Sequence, residues 1–132
     1  MLQRAFQTDL FPTAPEGDLE FNNGAPGSAA AAWLRAALEA EGFSCGEPSQ
    51  EDYGWGFWLN DPCMIWVFVS HAEAADETPA GAPPEWIVGV SHERPIFAPS
   101  QWFKRAEGEA LAEKAFAALS GALAAAPGIS LA

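Results

Sequence analysis

The stretch Glu51-Asp-Tyr-Gly-Trp-Gly-Phe-Trp-Leu-Asn-Asp-Pro-Cys-Met-Ile-Trp-Val-Phe-Val-Ser70 decides the fold. Two runs of aromatic and branched residues, Trp55–Leu59 and Cys63–Ser70, flank the turn-forming triplet Asn60-Asp61-Pro62. That pattern predicts an antiparallel hairpin. Successive strand residues point to opposite faces, so Trp55, Phe57 and Leu59 share one face and Trp58 takes the other. In the second run Cys63, Ile65, Val67 and Val69 share a face, and Met64, Trp66 and Phe68 share the opposite one. Both faces of the hairpin are therefore apolar. Gly54 and Gly56 leave flat space beside the tryptophans, as happens where another backbone or a ligand approaches closely.

Working outward, Trp86–Ser91 is a third strand-like run, and Phe43–Cys45 offers a short earlier one. Ala29–Glu41 consists of strong helix formers, follows Ser28 as N-cap, and stops at Gly42. Its packing stripe is Trp33, Leu34, Ala37 and Leu38. A second helix begins near Ser100 or just after Gly108 and runs to Ala126, where Pro127-Gly128 halts it. Its stripe is Ala112, Ala115, Phe116, Leu119, Ala122 and Leu123. The expected fold class is α+β. A two-layer sandwich is predicted, with an antiparallel meander of 3–5 strands packed against a helix at about 29–41 and a C-terminal helix at about 108–126.

At 132 residues the chain is expected to form one domain, 1–132. Residues 1–27 are read as an irregular segment rich in proline and glycine. Leu2, Phe6 and Leu10 would form one face of a short helix, while Leu2-Arg4-Phe6-Thr8-Leu10 also alternates as a strand does. Ala72–Pro84, rich in alanine, proline, glycine and acid, reads as a long exposed loop. Two helices cover one sheet face only. The other face is left to residues 1–27, to a second copy of the chain, or to a ligand.

Charge is distributed unevenly. Between Arg35 and Arg94 lie 58 residues with no lysine or arginine, eleven carboxylates and four of the six tryptophans. Residues 1–93 hold fifteen acids and two bases, or −13, whereas 94–132 hold three acids and four bases, or +1. A one-sign block of this size repels phosphate backbones and anionic lipid, so neither nucleic acid nor membrane is an expected partner. Basic proteins, cationic ligands and metal ions stay open. The start has no apolar core of signal-peptide length and no segment reaches a membrane span, so a cytoplasmic location is expected. Cys45 and Cys63 are read as reduced structural thiols.

The chemistry-bearing residues do not assemble into a catalytic pattern. Val67-Phe-Val-Ser-His71 and Val88-Gly-Val-Ser-His92 echo one another. If the strands pair antiparallel, His71 and His92 fall at opposite ends, roughly 20 Å apart at ~3.3 Å per residue, too far to share a metal ion. Ser70 and Ser91 point to the opposite face from their neighbouring histidines, which removes a nucleophile–base pair. No glycine-rich phosphate loop or Cys-x-x-Cys pair is present. Neither a cofactor nor a metal site is expected.

What stands out is acid beside exposed aromatic: Glu51, Asp52 and Tyr53 at the rim, with Trp55, Trp58, Trp66 and Trp86 as binding candidates. Tryptophan faces attract cations and anchor interfaces. The expected function is a non-enzymatic protein–protein interaction module that binds a basic partner, as an immunity protein or inhibitor does. The alternative is a small-ligand domain with an aromatic pocket beside the sheet, and a homodimer through the second sheet face is a further expected mode of association.

Overall fold

The computed structural model describes residues 1–13, 26–60, 62–72, 80–94 and 99–131. The expected hairpin forms, with β3 (Gly54–Leu59) antiparallel to β4 (Ile65–Ala72) in the register Trp55↔Val69, Phe57↔Val67, Leu59↔Ile65. Next to β4 lies β5 (Glu85–His92), again antiparallel, and on the outer side of β3 lies the short β2 (Ser49–Glu51). The fold is α+β, with two helices packed on one face of an antiparallel sheet.

The N-terminal segment differs from an irregular cover. Its alternating half is β1 (Leu2–Thr8), which pairs with β5 on one side and with β6 (Ile129–Leu131) on the other. The meander thus widens to six strands in the order β2-β3-β4-β5-β1-β6. Phe6 explains the outcome, because in strand geometry it points onto the core beside Trp86 and is fully buried. The ends of the chain are latched together: the Thr8 hydroxyl donates to the Gly128 carbonyl at 2.8 Å and accepts from the Leu10 amide at 3.0 Å. Leu19 and Phe21, expected to reach the core, lie outside the described residues, as do 73–79 of the 72–84 loop and Asp61 of the hairpin turn.

Helix α1 (Ser28–Ala40) begins one residue earlier than expected, with Gly27 rather than Ser28 at the N-cap. Gly27 has φ 138, and a Cβ there would press on the Trp55 indole at 3.0 Å, so glycine serves both the backbone and the packing. At the other end Gly42, φ 93, donates to the Glu39 carbonyl and Phe43 donates to the Leu38 carbonyl, each at 3.0 Å. This paired arrangement satisfies two helix-end carbonyls, as the glycine stop predicts. Residues 43–48 that follow are not a strand, in contrast to the expectation for Phe43–Cys45.

A 3-10 turn, Pro99–Lys104, leads directly into α2 (Arg105–Ala125). The buried stripe of α2 is Gly108, Ala112, Ala115, Leu119 and Leu123, which docks chiefly on β5, β1 and β6. Between the layers Leu34, Leu38, Phe57, Ile65, Val67, Val69, Trp86, Val88, Leu119 and Leu123 are closed to solvent. Each such side chain contributes about 1.5–3 kcal/mol relative to exposure, which is the main term holding helices to sheet. Among the described residues no helix is long and apolar enough to cross a membrane.

Candidate functional site: the helix-free face of the sheet

The strand register sorts side chains onto two faces. Trp55, Phe57, Leu59, Ile65, Val67, Val69, Trp86, Val88 and Val90 belong to the helix-covered core. The opposite face carries Gly56 and Trp58 from β3, Trp66, Phe68 and Ser70 from β4, Ile87 and Gly89 from β5, and Gln3 from β1. Trp66 and Phe68 are 7% and 9% exposed, although no described helix covers them and they stand outside the main core cluster.

Glycine on the neighbouring strands makes room for both rings. A Cβ on Gly56 would collide with the Trp66 ring, and one on Gly89 would collide with the Phe68 ring. Both rings therefore occupy the space over the bare backbone of the neighbouring strand. Aromatic cover of strand glycines of this kind shields the ladder beneath it. Trp58 lies beside Trp66, with ring centroids 4.9 Å apart and planes tilted by 49°.

Tyr53, in the β2–β3 turn, closes over both rings. Its ring meets Phe68 edge-on, with centroids 5.6 Å apart at 82°. Its hydroxyl accepts the Trp66 indole N–H at 3.0 Å, and its carbonyl accepts the Ser70 hydroxyl at 2.6 Å. Burial raises the Tyr53 pKa above the ordinary phenol value, opposed by the Trp66 hydrogen bond, and the negative charges of Glu51 and Glu93 raise it further. Those two carboxylates thus flank the aromatic strip electrostatically as well as by register.

The result is a shallow concavity of about 430 Å³ lined by Met1, Gln3, Tyr53, Trp66, Phe68, Ser70, Ile87 and Glu93. Tyr53 is half exposed and Met1 is 75% exposed. None of the six basic side chains lines it. Arg35 pairs with Glu39 and Glu47 beside α1, Lys104 and Arg105 precede and open α2, and Lys114 lies near the Phe43 ring. Arg94 stands over Trp102, and Arg4 has the same strand parity as the inward-facing Phe6.

The structure brings only part of the expected set together. Glu51, Tyr53, Trp58 and Trp66 share the helix-free face or its rim, and Asp52 is exposed in the adjoining turn. Trp55 and Trp86 do not join them. They face the helices at 6% and 0% exposure, because β3 and β5 present those positions inward. Phe68, Ile87 and Glu93 are members of the face that the sequence reading did not single out. Alternation offered a signal for each, since Phe68 has the parity of Trp66 while Ile87 and Glu93 oppose that of Trp86.

The histidines stand apart, as antiparallel pairing requires. His71 opposes Trp86 and His92 opposes Ile65, at opposite ends of the β4–β5 pair. His92 Nε2 is 3.3 Å from Gln101 Oε1, and its ring packs on Gly108 of α2. Ser91 donates to Glu93 at 3.1 Å rather than to a histidine. Neither Cys45 nor Cys63 is in a disulfide, and among the described residues no three His, Cys, Asp or Glu side chains group as metal ligands. Against protein-family models, curated proteins and solved structures the chain finds no match.

Proposed function

We propose that this chain is a non-enzymatic interaction module that docks a basic protein surface on the helix-free face of its sheet, in the manner of an inhibitor or immunity protein. One observation carries the reading: Tyr53, Trp66, Phe68 and Ile87 form an apolar strip flanked by Glu51 and Glu93, and no lysine or arginine lines it. Complementary charge speeds encounter with a basic partner, and aromatic anchors slow its departure. Rings packed against glycine have little room to move, so little side-chain freedom is lost on binding.

The test is capture of native-host proteins by wild-type chain and by Glu51→Lys, Glu93→Lys and Ile87→Arg variants. Basic proteins retained by the wild type at ~0.05 M salt, released toward ~0.5 M and lost by all three variants, are the expected outcome. Retention of the same set by the variants, or retention indifferent to salt, overturns the proposal.

The concavity volume favours one second reading, a small apolar or cationic ligand held against Tyr53 and Trp66. Its ~430 Å³ falls within the range of small-molecule sites. A metabolite that raises the melting temperature and quenches tryptophan fluorescence in the wild type but not in Tyr53→Ala would select it.

A further inference from the structure

Hydrogen bonds around the concavity consume most of its donors and leave its acceptors open. The Ser70 hydroxyl donates to the Tyr53 carbonyl at 2.6 Å, and the Trp66 indole N–H donates to the Tyr53 hydroxyl at 3.0 Å. At the rim the Ser91 hydroxyl donates to Glu93 Oε1 at 3.1 Å. A hydroxyl whose proton is committed can only accept from a ligand, and an ionised carboxylate only accepts in any case. Among the described residues nothing donates to Glu93 Oε2 and no basic side chain pairs with Glu93. Exposed Gln3 gives one N–H to the Met1 sulfur at 3.1 Å and keeps its carbonyl oxygen. The donors left over are the Tyr53 phenol proton and the second Gln3 N–H.

Strand register adds charge of one sign. Glu51 opposes Gly54, Glu85 has the parity of Ile87, and Glu93 continues that parity past the end of β5, so all three carboxylates belong to the helix-free face. Arg94 follows Glu93 in sequence but lines a separate cavity with His92 and with Glu109 and Glu113 of α2. Arg4 opposes Val88 and so faces the helix layer. The stretches outside the described residues, 14–25, 61, 73–79 and 95–98, contain no lysine or arginine. No lysine or arginine of this chain therefore occupies the concavity.

We infer that the concavity receives a lysine side chain of the basic partner, its ammonium at Glu93 beside the Tyr53 hydroxyl and its alkyl stem along Phe68 and Ile87. The inference rests on the docking role proposed for this face and names the group that enters it. An ammonium carries three donors and no acceptor, the complement of a rim rich in acceptors. Ser70 opposes Ile87, six positions along the strand from Glu93 and roughly 20 Å away at ~3.3 Å per residue. One side chain thus engages Glu93, and Ser70 is left for a further donor of the same partner.

Two features favour lysine over arginine. Glu93 Oε1 already accepts from Ser91, so the carboxylate is not free for the two parallel bonds that a guanidinium makes. Trp66 and Phe68 are buried and offer little ring face for a guanidinium plane to stack on. A compact ammonium needs only one oxygen and a slot for its stem.

Calorimetric titration of the full chain with N-acetylated hexalysine and N-acetylated hexaarginine provides the test. At ~0.05 M salt hexalysine is expected to bind at least about threefold more tightly, although both peptides carry the same charge. Glu93→Gln should weaken hexalysine binding about tenfold and erase the preference. Its side-chain oxygen still accepts from Ser91, and an unchanged melting temperature shows that the fold is intact. Glu41→Gln removes the same charge at the end of α1 and should change binding less than about twofold.

Equal or tighter binding of hexaarginine, equal losses in the two glutamine variants, or no binding of hexalysine overturns the inference. It also falls if n-butylamine alone matches hexalysine, because a free amine is then the ligand. In each case the docking role survives if basic host proteins are still captured by the wild type and lost by Ile87→Arg. If that capture is absent too, both fall.

Discussion

Phe68 on β4 packs against Gly89 of β5, so closely that a single methyl group at Gly89 would occupy the space of its ring. The same relationship joins Trp66 to Gly56 across the β3–β4 ladder. These two pairs seat aromatic rings against the strand backbone on the face of the sheet opposite the described helices.

Gly89→Ala is therefore expected to destabilise the fold by about 1–3 kcal/mol, the usual cost of overpacking. The loss arises because either the ring lifts away or the strands part. Combining Gly89→Ala with Phe68→Ala should cost less than the sum of the two, and urea unfolding of the four-member cycle measures the difference. Strict additivity would mean that ring and glycine are not in contact.

Helix α2 offers a contrast in sign between two of its glycines. Gly121 is exposed with nothing near its missing Cβ, whereas Gly108 is buried against the His92 imidazole. Gly121→Ala should stabilise by about 0.5–1 kcal/mol through helix propensity alone. Gly108→Ala gains the same propensity but collides with His92, so net destabilisation is expected, relieved in a His92→Ala background. Thermal unfolding of the four proteins checks both signs.

These glycines also mark where the sequence was legible and where it was not. The β3–β4 hairpin could be read because two aromatic and branched runs, Trp55–Leu59 and Cys63–Ser70, flank the turn residues Asn60-Asp61-Pro62, whereas its register could not, because both faces are apolar and no polar alternation marks the inner one. Both helix stops could be read because Gly42 and Pro127-Gly128 act locally. The strands β2 and β6 could not, since three residues such as Ser49–Glu51 or Ile129–Leu131 carry no periodicity and owe their form to the neighbours they pair with. Trp86 and Trp66 look alike in composition, and only register separates the enclosed one from the one on the open face. Phe103 was invisible for a similar reason: an aromatic residue reads as core until the structure displays it in water.

Cys45 carries a pH dependence. Burial, reinforced by the negative charge of Glu39 and partly offset by Arg35, pushes its thiol from 9.0 up to about 11. The folded state thus holds the proton more tightly than the unfolded state. The associated stability is fully present below pH 9 and is lost as pH rises through 11. Urea midpoints should fall across that window in the wild type and fall less in Cys45→Ala. Alkylation of Cys45 in the native protein near pH 8 should be slow, since about a hundredfold less thiolate is present than for a thiol at 9.0.

Tyr53 separates the architecture of the open face from its proposed use. Its hydroxyl satisfies the Trp66 indole N–H, and its ring forms the half-exposed wall of the concavity. Tyr53→Phe keeps the wall and removes the acceptor. A cost of about 0.5–1.5 kcal/mol in stability is expected, with salt-sensitive binding retained. Tyr53→Ala removes both, so binding should weaken together with stability. If Tyr53→Phe abolishes binding as completely as Tyr53→Ala, the phenol itself contacts the partner as a hydrogen-bonding group. If neither variant changes binding while both lose stability, the ring serves only to hold Trp66 and Phe68 in place, and the partner must be sought elsewhere on the molecule. Parallel measurement of unfolding free energy and of binding at ~0.05 M and ~0.5 M salt distinguishes the three outcomes.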